Sequence, residues 1–187
     1  MSKKPFRFSV ESWSVEQQNK EYETPIFNLF KHRLRLNSEN IEGDFYIIDA
    51  PNWVNVIAIT ADREVVLVEQ FRFGVDKPSL EIPGGVCDPG ESPLETAKRE
   101  LQEETGYISK KWSSLGKVSA NPAIMNNYNY FFLAEECEPN GTMNLDQHER
   151  IKVHKLSYQD FLDRVEDGTI DHSIVVAAVA KLLLRET

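Results

Sequence analysis

Glu100, Glu103 and Glu104 stand at i, i+3 and i+4 in RELQEETGY, and on a helix they project from one side. Alone, three such carboxylates repel one another. They also sit near a helix C-terminus, where the macrodipole disfavours anions. A hard divalent cation, Mg²⁺ or Mn²⁺, reverses the balance, because it prefers oxygen ligands and cancels the repulsion. The chemistry to expect from this spacing is therefore the binding of an oxygen-ligated divalent cation.

The surrounding residues are those needed to hold such a helix. A glycine pair, Gly84-Gly85, precedes a Pro89-Gly90 turn, and a helix is expected from about Ser92 to Thr105 with Gly106 as its left-handed stop. Leu94, Ala97 and Leu101 supply an apolar stripe beside the carboxylates. Glu91 and Arg99, the other charged pair, are eight residues apart, so Glu91 must reach down from the helix entrance to meet Arg99.

The stretch GVCDPGESPLETAKRELQEETGY resembles the Nudix box of the Nudix hydrolases. Gly85, Glu91, Arg99, Glu100, Leu101, Glu103, Glu104 and Gly106 all fall on its fixed positions, and Tyr107 is the one departure from the usual aliphatic residue. The resemblance implies metal-dependent hydrolysis of a nucleoside diphosphate linked to another group. It implies Glu100 and Glu104 as metal ligands, with Glu103 as a third that binds a second ion or shapes the cluster, and the backbone carbonyl of Gly84 as a further ligand. Gly85, Glu91, Arg99 and Gly106 take structural roles, Glu91 and Arg99 holding loop to helix.

Outside the box, Gln70-Phe71-Arg72 followed by LEIPGG is similar to the ADP-ribose pyrophosphatase branch, in which the residue matching Arg72 contacts phosphate. A guanidinium suits that task by planar, bidentate bonding. Glu81 is expected within reach of the site as a metal-shell or ribose group. Pro122, fifteen positions after Tyr107, falls where a proline marks ADP-ribose hydrolysers, although the local sequence is Asn-Pro-Ala where many relatives have Ser-Pro-Gly, and Tyr128 follows. For the general base, the resemblance points to the loop NLDQHERI, with Glu149 preferred and Asp146 the alternative; His148 reads as a loop histidine. Phe30, Phe45, Tyr46 and Trp53 are possible stacking faces for a base, Phe30 and Tyr46 being assigned to the substrate site.

Composition sets outer bounds. A chain of 187 residues fits one domain with a small appendage. A net charge of −9 without a basic run argues against a duplex nucleic-acid partner. Cys87 and Cys137 are too few for a disulfide framework and read as ordinary thiols in a reducing compartment. The N-terminal residues lack a secretion-type apolar core and no apolar run reaches ~18 residues, so a cytoplasmic protein outside the membrane is expected.

Residues 1–24 are polar and without clear periodicity. A hairpin is expected from Phe27–Asn37 and Asp44–Asp49, turning over Ser38–Gly43. Val54–Thr60 reads as a buried central strand and Glu64–Phe71 as the next. Further strands are expected at Trp112–Ser119, Asn129–Ala134 and Ile151–Leu156, a polar loop at Glu135–His148, and helices at Tyr158–Asp167 and Ile174–Arg185. This order predicts an α/β fold in which helices sandwich a mixed sheet. The resemblance gives the same result, the Nudix α/β/α sandwich in residues 51–187, preceded by an N-terminal β-hairpin region in residues 1–50. It further implies that this region pairs two chains into a homodimer and contributes to the nucleotide site. The substrate expected is ADP-ribose or a related nucleoside diphosphate sugar. Hydrolysis of GDP-mannose, dinucleoside polyphosphates or nucleoside triphosphates, or a non-catalytic nucleotide sensor, are the alternatives.

Overall fold

The computed structural model describes residues 6–141, 143–145, 147 and 149–186. Asp146 and His148 lie outside the described residues. The chain divides into two compact units, Met1–Ala50 with Asn121–Asn126, and Pro51–Ala120 with Asn127–Thr187.

The first unit is a three-stranded antiparallel sheet in the order β1 (Ser14–Glu23), β2 (Asn28–Leu36), β3 (Ile41–Asp49). Strand β1 corrects the expectation for residues 1–24. SVEQQNKEYE is polar on both faces and almost wholly exposed, so no alternation marks it, and pairing with β2 is what makes it a strand. The turn is also earlier than expected. Ile41 pairs with Leu36 and Gly43 with Leu34, and the reversal is made around Asn40, whose φ of 55° is a conformation asparagine tolerates. Charges opposite one another stitch β2 to β3: Arg33 donates to Asp44 at 3.0 Å and to Glu42 at 3.1 Å. The Asn121–Asn126 segment joins this unit through Ile48, whose N–H donates to the Ile124 carbonyl at 2.7 Å.

The second unit is a mixed sheet between helices, as expected. Its strands are β4 (Trp53–Thr60), β5 (Glu64–Arg72), β6 (Lys77–Glu81), β7 (Gly84–Val86), β8 (Tyr107–Ile108), β9 (Lys111–Ser119), β10 (Tyr128–Pro139) and β11 (Lys152–Ser157). The central path runs β11-β5-β4-β10-β8, with β6 on β5, β7 on β4 and β9 on β10. Among the described strands only β4 and β10 pair in parallel. Strand β10 runs into the expected polar loop as far as Pro139, past an irregularity between Ala134 and Cys137.

Helix α1 (Pro93–Thr105) packs Ala97 and Leu101 on Val54, Val56, Val66 and Phe132. The opposite face, Ile57, Leu67, Phe131 and Leu133, is covered by Phe161 of α2 (Tyr158–Glu166) and by Val175, Ala178 and Leu182 of α3 (Ser173–Glu186). Period-two alternation along β4 and β10 thus feeds two separate cores. No helix among the described residues is long and apolar enough to cross a membrane.

Candidate active site

Helix α1 is anchored at both ends by its own sequence. The Ser92 hydroxyl accepts from the Glu95 N–H, and the Glu95 carboxylate accepts from the Ser92 N–H at 2.9 Å, a reciprocal cap. Gly106 closes the helix at φ 71°, its N–H donating to the Gln102 carbonyl. With the helix fixed on the sheet, Glu100 and Glu104 are carried inward while Glu103 stays partly exposed. Glu100 is 9% exposed and Glu104 only 3%.

Arg99 is the hub of the cluster. It holds Glu91 through Nε at 3.2 Å and Nη2 at 3.0 Å, so Glu91 does reach down two turns. Its Nη1 spans Glu100 Oε1 at 2.8 Å and Glu103 Oε2 at 2.9 Å, and Nη2 also donates to the Val86 carbonyl. One guanidinium thereby faces three carboxylates. Glu104 is held separately: its Oε2 accepts the Gly84 N–H at 2.8 Å. Burial pushes Glu104 up to about 8, against the pull of that N–H, and Glu100 up to about 7, against Arg99. Glu149 is close enough for its charge to be among those raising Glu100, Glu104 and Arg72.

Two missing side chains shape the approach to this cluster. A Cβ at Gly85 would overlap the Glu100 carboxylate, and one at Gly84 would overlap the Val54 carbonyl and the Asn55 amide. The glycine pair is required because backbone lies against carboxylate on one side and against β4 on the other.

This donor set fits a hard divalent cation. It offers buried carboxylate oxygens whose charged form is disfavoured by burial and by one another, and a cation offsets that cost. Among the described residues no three acidic side chains already converge on one point. Arg99 Nη1 lies between Glu100 and Glu103.

Beyond the glycine pair is a cavity of 240 Å³ lined by Trp53, Asn55, Arg72, Glu81, Asn129, His172 and Ile174 along with Gly84 and Gly85. Arg72 and Glu81 form a two-pronged pair, Nε to Oε1 at 2.8 Å and Nη2 to Oε2 at 2.7 Å. Burial draws the Glu81 carboxyl upward, but Arg72 outweighs it and holds the group below the usual carboxylate range. Arg72 is raised in turn by that hydrogen bond.

His172 caps α3: its Nδ1 accepts the Ile174 N–H at 3.2 Å, while the neighbouring Asp171 pairs with Lys77 at 2.5 Å. Asn55, Asn129 and His172 had not been singled out from sequence. The available signal was an asparagine interrupting each of the apolar runs WVNVIAIT and YNYFFLA.

Phe30, Tyr46 and Pro122 belong to the first unit. Phe30 is packed edge-on near His32 at 6.2 Å, and Tyr46 is exposed beside Lys31 in the register. Phe45 stacks edge-on with Trp13 at 5.4 Å. Cys87 and Cys137 are unpaired, and burial pushes both thiols up, Cys137 to about 11.

The chain belongs to the Nudix family: the model of the NUDIX domain matches residues 51–178. It is 33% identical to the ADP-ribose pyrophosphatase of Bacillus subtilis (strain 168), over 75% of this chain and 76% of the relative. It is equally similar, 33% over the same shares, to the methanol dehydrogenase activator of Bacillus methanolicus. Among solved structures, one of an ADP compounds hydrolase superposes with a TM-score of 0.82 over 96% of both chains at 22% identity, a likeness of fold.

Proposed function

We propose that this Nudix enzyme hydrolyses the pyrophosphate bond of ADP-ribose or a related nucleoside diphosphate sugar, releasing a nucleoside monophosphate and a sugar phosphate. The observation that carries the reading is the pairing of two buried carboxylates, Glu100 and Glu104, with the Arg72–Glu81 pair across the glycines. Mg²⁺, or Mn²⁺ in its place, would be held by Glu100, Glu104 and the Gly84 carbonyl, with Glu103 beside them. When bound it neutralises diphosphate oxygens and lowers the pKa of a bound water.

The chain's own groups do the rest. Arg99 keeps the Glu91 loop and the Val86 carbonyl against α1, which holds the glycine pair beside the carboxylates. Arg72, oriented by Glu81, has Nη1 to offer a phosphate oxygen. Glu149, within electrostatic reach of the carboxylates, is the proposed proton acceptor, in a segment where Arg150 donates to the Glu149 carbonyl at 2.7 Å.

The test is product release from ADP-ribose, ADP-glucose, GDP-mannose, a diadenosine polyphosphate and dGTP, each with Mg²⁺ and with EDTA. Fastest turnover of ADP-ribose or another diphosphate sugar, abolished by EDTA, is expected. Preference for the triphosphate or the dinucleotide would overturn the substrate assignment, and binding without turnover would make the protein a sensor.

In this reading residues 1–50 join two chains in a homodimer. In support, the three-stranded sheet exposes Val15, Tyr22, Phe45 and Tyr46, a quantity of apolar surface that a lone small sheet does not cover. Light scattering is expected to give twice the mass of one chain, and a monomer would remove this part of the proposal. Two unpaired thiols fit a cytoplasmic setting.

A further inference from the structure

We propose that Asn129 reads the sugar hydroxyls of the substrate, an inference that rests on the reading of this cleft as a nucleoside diphosphate sugar site. Asn129 stands in β10 beside Trp53 of β4 and is 0% exposed. Neither its amide nitrogen nor its amide oxygen has a hydrogen-bond partner among the described residues. A buried amide that has given up water and gained nothing is disfavoured, and native structures rarely retain one without a use.

Its place in the strand sharpens the point. Phe131 and Leu133, two and four residues on and on the same face, fill the core under α3. An apolar residue at 129 would continue that stripe. The asparagine is instead at the end of the stripe, on the wall of the 240 Å³ cavity that also holds Arg72, Glu81 and His172. Asn55, next along the floor, has its Nδ2 at the outer limit of hydrogen bonding, 3.5 Å from the Ile82 carbonyl.

The chemistry of the amide selects the ligand group. It presents a donor and an acceptor together, whereas a phosphate oxygen only accepts and would leave Oδ1 unpaired. A hydroxyl donates and accepts at once, so a hydroxylated ring satisfies both atoms. Arg72 in the same wall takes the anionic part, which places phosphate and sugar side by side as they are joined in the substrate. A purine edge could also meet an amide. The lining is mixed: Trp53, Val54, Val86 and Ile174 are apolar, while Asn55, Glu81 and His172 are hydrogen-bonding groups that suit a polyhydroxylated ring, and the substrates below separate ring from base edge. The amide is closed off from water in this conformation, so the groups over it must shift as the sugar seats.

The test compares the full chain with Asn129→Leu, of the same branched shape but bulkier and without polar atoms, and with Asn129→Ala should the first variant not fold. Three substrates separate the possibilities: ADP-ribose, IDP-ribose with an altered base edge, and the β-methyl ester of ADP, which has no sugar on that phosphate. The variant is expected to lose about 30-fold in kcat/KM on both ribose substrates and less than roughly threefold on the methyl ester. Its Tm should stay close to that of the wild type, because removal of an unpartnered amide offsets the bulk that leucine adds. Equal losses on the methyl ester, a loss that follows the base, or no loss would each overturn the assignment.

Wild-type turnover of ADP-ribose tests the functional reading by itself. If that turnover is absent, thermal stabilisation decides the Asn129 assignment instead. Loss in the variant of the shift given by ADP-ribose, with the methyl-ester shift retained, supports it, and parallel changes overturn it.

Discussion

Glu104→Gln is expected to reduce kcat by about 10³-fold while the fold survives, because a metal ion contributes several kcal/mol of transition-state stabilisation and ~4 kcal/mol is about 10³ in rate. The amide keeps the side chain's shape and can still accept the Gly84 N–H, but it cannot supply a carboxylate to a cation. The same variant should also change how stability depends on pH. In the metal-free protein, burial raises Glu104 from 4.5 to about 8 and Glu100 from 4.5 to about 7, so the folded state holds these protons more tightly than the unfolded state.

The sign follows from that. Their contribution is fully present below about pH 4.5 and is lost as pH rises through 7 and 8. In EDTA the wild-type Tm should fall by roughly 5 °C between pH 5 and 8, and the variant's fall should be clearly smaller. Mg²⁺ should offset the wild-type fall, since it binds the deprotonated carboxylates. A variant with wild-type turnover would refute the ligand assignment, and an unchanged pH slope would refute the burial argument.

Arg72→Ala should damage both stability and activity, and a second substitution should separate the two. Glu81 has a side chain only 2% exposed, and Arg72 is its ion-pair partner. Removing one member of a buried pair costs 3–5 kcal/mol, and because the Arg72 side chain is 42% exposed the loss here should be nearer ~2 kcal/mol. Adding Glu81→Gln removes the stranded charge and should restore most of that stability in urea unfolding. It should not restore turnover, which is expected to remain about 10²-fold down, the value of a lost charged hydrogen bond to phosphate. Recovery of activity in the double variant would show that Arg72 serves Glu81 alone. Arg72→Lys is expected to keep part of the stability but not the two-pronged geometry.

What was legible in the sequence was local. The spacing of Glu100, Glu103 and Glu104, the Ser92 start, the Gly106 stop and the Leu94/Ala97/Leu101 stripe are set within one helix, where 3.6-residue geometry converts sequence order directly into a face. The mixed sheet between helices followed from the same kind of evidence, apolar runs broken by turns. Strand β1 did not, because a two-sided polar strand carries no period and depends on β2 for its hydrogen bonds.

The tertiary structure alone decided the rest of the site. Burial of Glu100 and Glu104 depends on α1 lying against β4 and β7, and no count of residues within the helix contains that information. Arg72 and Glu81, which the sequence did name by resemblance, and Asn129 and His172, which it did not, come from β5, β6, β10 and the start of α3. They meet at one wall only because the strands pair and α3 returns across the sheet. An asparagine in an apolar run is ambiguous by itself, since the sequence does not say whether its amide finds a partner. Only the packed strand shows that both atoms of Asn129 were left without one.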